Sequence, residues 1–206
     1  MSANGVAPAY AFAPGFLFES FAAFNELLLA DYMAEHADQP QLKRYYRERW
    51  MDIKGLDAFY GAQDALLEQA VYDGVSDGVS DGTVHNADDL DALELKVDAQ
   101  FSRFPQATPE LRTRWAMVSL MYEDPLYVVN YVYGGSLALR YYYLYTTRRE
   151  WFVPRYIALL KNGFNAPPAE LLHRFLEIDL SGPALLKDDL TLLNSRLDQL
   201  EAIARK

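Results

Sequence analysis

Apolar residues in the first third of the chain return every three or four positions. Leu17, Phe21, Phe24, Leu28 and Tyr32 form one such series, the spacing of a single helix face, and predict a helix over residues 16–36. Pro40 sits where a second long helix begins, because the first helical position needs no N–H. That helix is predicted over residues 41–73, with Gly55 and Gly61 as points of bending or close packing. Asn86 and the acids Asp88, Asp89 and Asp91 suit the cap and first turn of a third helix, ending near 104. Further helices are predicted over 109–122, 125–147, 151–162, 169–177 and 183–204, with Gly163 as a stop. Alternating apolar–polar runs are nearly absent, so the predicted class is all-α.

Apart from the loop around Gly74 to Asn86, nothing inside the chain is composed like a linker between domains, and residues 1–206 read as one all-α region. Two stretches stand apart from the helices. Residues 1–15 carry Pro8 and Pro14 and are expected to be irregular or disordered. Residues 74–86 form an acidic, glycine-rich loop expected to be flexible, which includes most of the repeat DGVSDGVSDG. Asp73, Asp77 and Asp81 recur every four residues, whereas calcium loops space their oxygens by two and close with a glutamate. No run reaches the roughly 18 apolar residues of a membrane span, and the first residues lack the basic start of a secretory signal. A cytoplasmic location is expected.

Composition narrows the chemistry. The 29 acidic side chains exceed the 19 basic ones, for a formal net charge of −10. That balance argues against nucleic acid, whose ligands need clustered Lys and Arg, and against an anionic membrane surface. With no cysteine there is no disulfide framework, thiolate zinc site or thiol nucleophile. The three histidines, His36, His85 and His173, include no HExxH pair. Glu170 and His173 have Glu-x-x-His spacing, but a carboxylate-bridged di-iron bundle needs that spacing twice.

Two constellations remain. Glu19 and Glu26 lie two helical turns apart and so project from one face, with Ala22 and Ala23 between them and Asn25 alongside. This pattern suits two acids on a solvated helix edge. The alternative is a carboxylate metal ligand with a second acid supporting it. The second constellation is YEDPLYVVNYVYGGSLALRYYYLY, residues 122–145, with eight tyrosines. Each buried hydroxyl there needs a partner, so the segment reads either as tyrosine-rich helix packing or as a wall facing a peptide. Gly134-Gly135 allows another backbone or a ligand to approach closely.

These residues resemble a known family. ESFAAFNELLLADYM, Glu19 to Met33, is similar to the E-x-x-S-T-F-N-E-x-L-L segment of bacterial oligoendopeptidase F, one of the thimet-oligopeptidase zinc peptidases. The tyrosine-rich segment resembles the family's later helix, where a His and several Tyr face the substrate. The tail FVPRYIALLKNGFNAPPAELLHRFLEIDL resembles its F-L-x-G-G-S-x-P-x-E-L-L ending, so the resemblance spans nearly everything beyond Gly15. It implies the all-α, C-terminal half of a zincin-type catalytic domain beside a deep peptide channel.

The resemblance implies roles for particular residues. Glu19 matches the third zinc ligand and Glu26 an acid that supports it, while Tyr131 and Tyr133 best match the tyrosines that polarise the scissile carbonyl. The departures are equally specific. HExxH, the source of two zinc ligands and the general base, is absent, and the substrate-facing His falls on Pro125 or Leu126. Gly134 to Ser136 replace aromatic or amide positions. The resemblance thus implies zinc and short-peptide substrates for a complete enzyme, with no tight zinc binding and no cleavage by this chain alone. The alternative is a non-catalytic helical module that binds a peptide or a partner. Its partner would be an HExxH-bearing chain or a second copy.

Overall fold

The computed structural model describes residues 14–55, 60–75, 82–103 and 109–204. Among them the chain is helical with no strand, as the periodicity predicts. The helices are α1 (Gly15–His36), α2 (Pro40–Gly55), α3 (Gly61–Gly74), α4 (Ala87–Phe101), a 3-10 helix (Pro109–Met117), α5 (Leu120–Glu123), α6 (Val129–Thr147), α7 (Arg149–Asn162), α8 (Pro168–Leu176) and α9 (Ala184–Ala204). No helix among these residues is long and apolar enough to cross a membrane. The expectations for residues 1–13 and for most of the acidic loop, including Asp77 and Asp81, lie outside the described residues.

Of the helix expected over 41–73, α2 to Gly55 and α3 from Gly61 form, with Tyr60 also helical, and residues 56–59 lie outside the described residues. Two other expected helices differ from what forms. The helix expected over 109–122 is instead a 3-10 run followed by the single turn of α5. A 3-10 winding brings residues three apart into line, and Arg112 and Trp115 both use that alignment. Arg112 Nε lies 3.3 Å from Asp91 Oδ2, and Trp115 Nε1 donates to Asp91 Oδ1 at 2.8 Å. The helix expected from 125 begins at Val129, because Leu126 takes a left-handed backbone with φ 65°. Its N–H donates to the Glu68 carboxylate at 2.6 Å, which offsets the cost of that conformation.

The chain divides into two compact units, Met1–Lys54 with Tyr133–Lys206, and Gly55–Val132. In the first, α1 turns Leu17, Phe24 and Leu27 toward Trp50, Leu137, Tyr141, Phe152, Leu171 and Leu193, all buried. Each such side chain contributes on the order of 1.5–3 kcal/mol by leaving water. The second unit has a smaller core of Leu67, Val71, Val97 and Met121, bordered by Leu90, Leu93, Phe101 and Trp115. Its α4 is capped as the sequence predicts, with Asn86 Oδ1 accepting from the N–H groups of Asp88 and Asp89 at 2.8 and 3.2 Å.

Candidate functional site

The face of α1 that carries Glu19 and Glu26 is set by the other side of the same helix. Leu17, Ser20, Ala23, Phe24, Leu27, Ala30 and Ala34 are buried, which turns Phe18, Ala22, Asn25, Glu26, Leu29 and Tyr32 outward. Phe18, Leu29 and Tyr32 remain 52%, 61% and 57% exposed. Glu19 lies at the margin of this face, half-buried, and Glu26 is exposed. The two acids share one side of the helix, about 10.5 Å apart along its axis.

Helix α6 meets α1 at Glu19. A Cβ added to Gly134 would stand 2.6 Å from Glu19 Cβ, 3.0 Å from the Ser20 nitrogen and 3.1 Å from the Glu19 carbonyl carbon. Glycine is therefore required for the two backbones to come this close. On the next residue, the buried Ser20, Oγ donates to the Leu17 carbonyl at 2.7 Å and lies 3.4 Å from the Tyr141 hydroxyl. Phe24 is ringed by Tyr141, Tyr145, Phe152 and Tyr156 at centroid distances of 5.3–6.0 Å. Burial raises the Tyr141 and Tyr156 hydroxyls well above the ordinary tyrosine range, so both stay protonated.

The predicted tyrosines occupy different settings. Tyr133, next to Gly134, is 60% exposed and packs its ring on Phe16 at 6.2 Å. The Gly134 contact therefore brings it to the Glu19 end of α1. Tyr131 belongs to the second unit, where its ring meets Tyr127 at 5.8 Å and lines a cavity of about 320 Å³ with Tyr60, Asp64 and Met117. Of the remaining candidate pair, Glu170 faces Arg174 at 3.7 Å and His173 is exposed.

Three polar clusters have no counterpart in the sequence reading. In the first unit Asp31 holds Arg196, Nη2 to Oδ2 at 3.1 Å, and accepts from the Tyr142 hydroxyl. The Arg196 guanidinium also lies 4.6 Å from the Trp50 ring centre, and a cavity of about 460 Å³ opens beside them. In the same unit Ser136 donates to Asp189, which is buried. Burial pushes the Asp189 carboxyl up to about 7, against the lowering effects of Ser136, Arg140 and Lys54. The third cluster, in the second unit, gathers Asp64, Glu94 and Asp98 around Arg114 and Gln63. These partners come from distant parts of the chain or from separate helices, so no local motif marks them.

No protein-family model, curated protein or solved structure matches this chain. A hydrolytic zinc ion takes three protein ligands and keeps one position open. Among the described residues no three His, Cys, Asp or Glu side chains converge to hold a metal. Glu19 and its surroundings therefore do not by themselves fit a zinc ion.

Proposed function

We propose that this chain is the helical part of a zinc-dependent oligopeptidase acting on short peptides. In this reading Glu19 is the third metal ligand, and two His and a general-base Glu come from an HExxH segment that the 206 residues do not contain. Glu26 supports the ligand, and Tyr133, in the same unit as Glu19, donates to the carbonyl oxygen of a bound peptide. The chain alone is inactive. The supporting observation is the α1–α6 contact. Gly134 seats α6 against the backbone of Glu19 and sets the exposed Tyr133 beside it.

The exposed stripe of Phe18, Ala22, Leu29 and Tyr32 supports a partner surface on that same face. It also favours a second reading, a non-catalytic helical module in which these side chains anchor a peptide or another chain. One experiment separates the two. The native product is purified from its source cells, and its intact mass, zinc content and cleavage of a fluorogenic peptide are measured. The oligopeptidase reading expects an HExxH sequence in the native species, covalently or as a bound chain, with zinc and turnover that Glu19→Gln abolishes. A native 23.5 kDa species without such a partner and without zinc would overturn it and leave the binding module. Undiminished zinc and turnover in the Glu19→Gln form would overturn the ligand assignment.

A further inference from the structure

Helix α9 is held to the first unit along one side. Asp189 is buried and accepts from Ser136, Asp188 Oδ2 pairs with Arg140 Nη1 at 3.0 Å, Arg196 reaches Asp31, and Leu193 enters the core. These contacts spread over more than two turns and fix the rotation of α9 about its own axis. The helix nevertheless leaves Leu186, Leu190 and Leu197 55%, 54% and 46% exposed. A single exposed leucine is ordinary. These three recur at intervals of four and seven residues, which places them on one line along the helix. The fixed rotation keeps that line from turning inward.

Polar residues border the leucines in a pattern that has a centre. Lys187, Asn194 and Glu201 follow one another at seven-residue intervals and are all exposed. Seven residues make two helical turns, so the three form one edge of the leucine line. An identical helix laid antiparallel, with a two-fold axis beside Asn194, brings its Glu201 opposite Lys187 and its Lys187 opposite Glu201. In nearly the same register Leu190 meets the copy's Leu197, and Leu197 meets its Leu190. Asn194 then faces Asn194, and each amide can both donate and accept. A parallel pairing in register would instead set Lys187 against Lys187 and Glu201 against Glu201, with like charges at both levels. The charge order on α9 complements itself only when one copy is reversed, which is the self-complementarity that a two-fold interface requires.

We propose that α9 is a dimerisation helix whose partner is a second copy of this chain. The leucine lines of the two α9 helices pack antiparallel, and Lys187–Glu201 pairs close both ends of the contact. Each α9 is already held as a helix by its own unit, so association does not have to order it. The surface involves neither Glu19 nor the open face of α1 and stands without the peptidase reading.

The test follows the mass of the full chain by sedimentation over a dilution series. A species of twice 23.5 kDa is expected at high concentration, dissociating on dilution. Leu190→Glu puts two carboxylates into the contact by symmetry and should weaken the dimer by about a hundredfold or more, with the helical circular dichroism signal retained. Lys187→Glu and Glu201→Lys should each weaken it about tenfold, and the double variant, which exchanges the two charges, should restore it. Leu29→Glu, on the open face of α1, should leave the dimer intact. A monomer at every concentration would overturn the proposal, and so would a dimer that survives Leu190→Glu. A dimer lost in Leu29→Glu would place the contact on α1 instead. Single charge reversals without effect, or a double variant that restores nothing, would overturn the antiparallel pairing.

Discussion

Replacing Gly134 with alanine tests the contact on which the α1 site depends. In an exposed helix interior this substitution stabilises by about 1 kcal/mol, because alanine loses less backbone entropy. At Gly134 the new methyl would lie 2.6 Å from Glu19 Cβ and 3.0 Å from the Ser20 nitrogen. Carbon atoms settle at roughly 3.5–4.0 Å, so the two helices must separate by about 1 Å locally. The atoms in the way belong to a backbone and the first carbon of a side chain, neither of which can swing aside. Forcing extra volume into a packed contact costs about 1–3 kcal/mol, which exceeds the propensity gain at most of that range. A net loss of up to about 2 kcal/mol is expected, or a fall in Tm of up to roughly 8 °C for a chain of this size. Gly55 provides the control, since a Cβ there meets nothing within 4 Å. Gly55→Ala should leave stability unchanged or raise it by about 0.5–1 kcal/mol. Both variants would be followed by circular dichroism during heating and urea titration. A Gly134→Ala protein as stable as the native one would refute the close-contact argument, whatever the control does.

Two further predictions concern the buried charges. Burial raises the Asp189 carboxyl from 3.8 to about 7 in the folded chain, so between those values the folded state holds a proton that the unfolded state has released. Its stabilising contribution is therefore full below pH 3.8 and is lost as pH rises toward about 7. Urea titrations at several pH values should show the native protein losing stability relative to Asp189→Asn across that window, and parallel curves would contradict the assignment. In the second unit, Arg114→Ala strands Asp64 and the fully buried Glu94 without their cation. It should cost about 3–5 kcal/mol, read as lost hydrogen-exchange protection in α3 and α4. Arg112→Ala, at a 60% exposed side chain 3.3 Å from Asp91, should cost no more than about 1 kcal/mol. Equal effects from the two would mean that burial is not what gives Arg114 its weight.

The exposed face of α1 ties the fold to the proposed function. A helix in a finished core hides large apolar side chains, yet Phe18, Leu29 and Tyr32 stay open on the side that carries Glu26. The opposite side is filled by one of the densest aromatic groups in the chain, around Phe24. That packing prevents α1 from rolling to bury its open stripe.

What the sequence determined by itself is whatever depends on residues a few positions apart. The 3.6-residue period defined the all-α class, Asn86 the start of α4, and Pro40 the start of α2. The seven-residue spacing placed Glu19 and Glu26 on one side of α1. The tertiary structure decided where local signals were balanced or silent. Nothing near Leu126 in sequence announces its left-handed backbone, which depends on Glu68, 58 residues away. Before α5 the winding is 3-10, and only the packing shows that Arg112 and Trp115 there both reach α4's Asp91. Gly134 could be seen as a place for close approach, but only packing shows that the approaching backbone is that of Glu19 and Ser20. The same holds for Arg196 with Asp31, 165 residues apart, and Ser136 with Asp189, 53 apart. Helix formation is decided by neighbours within a turn or two. The partner of a buried charge is decided by whichever distant side chain shares its low-dielectric surroundings once the core has closed.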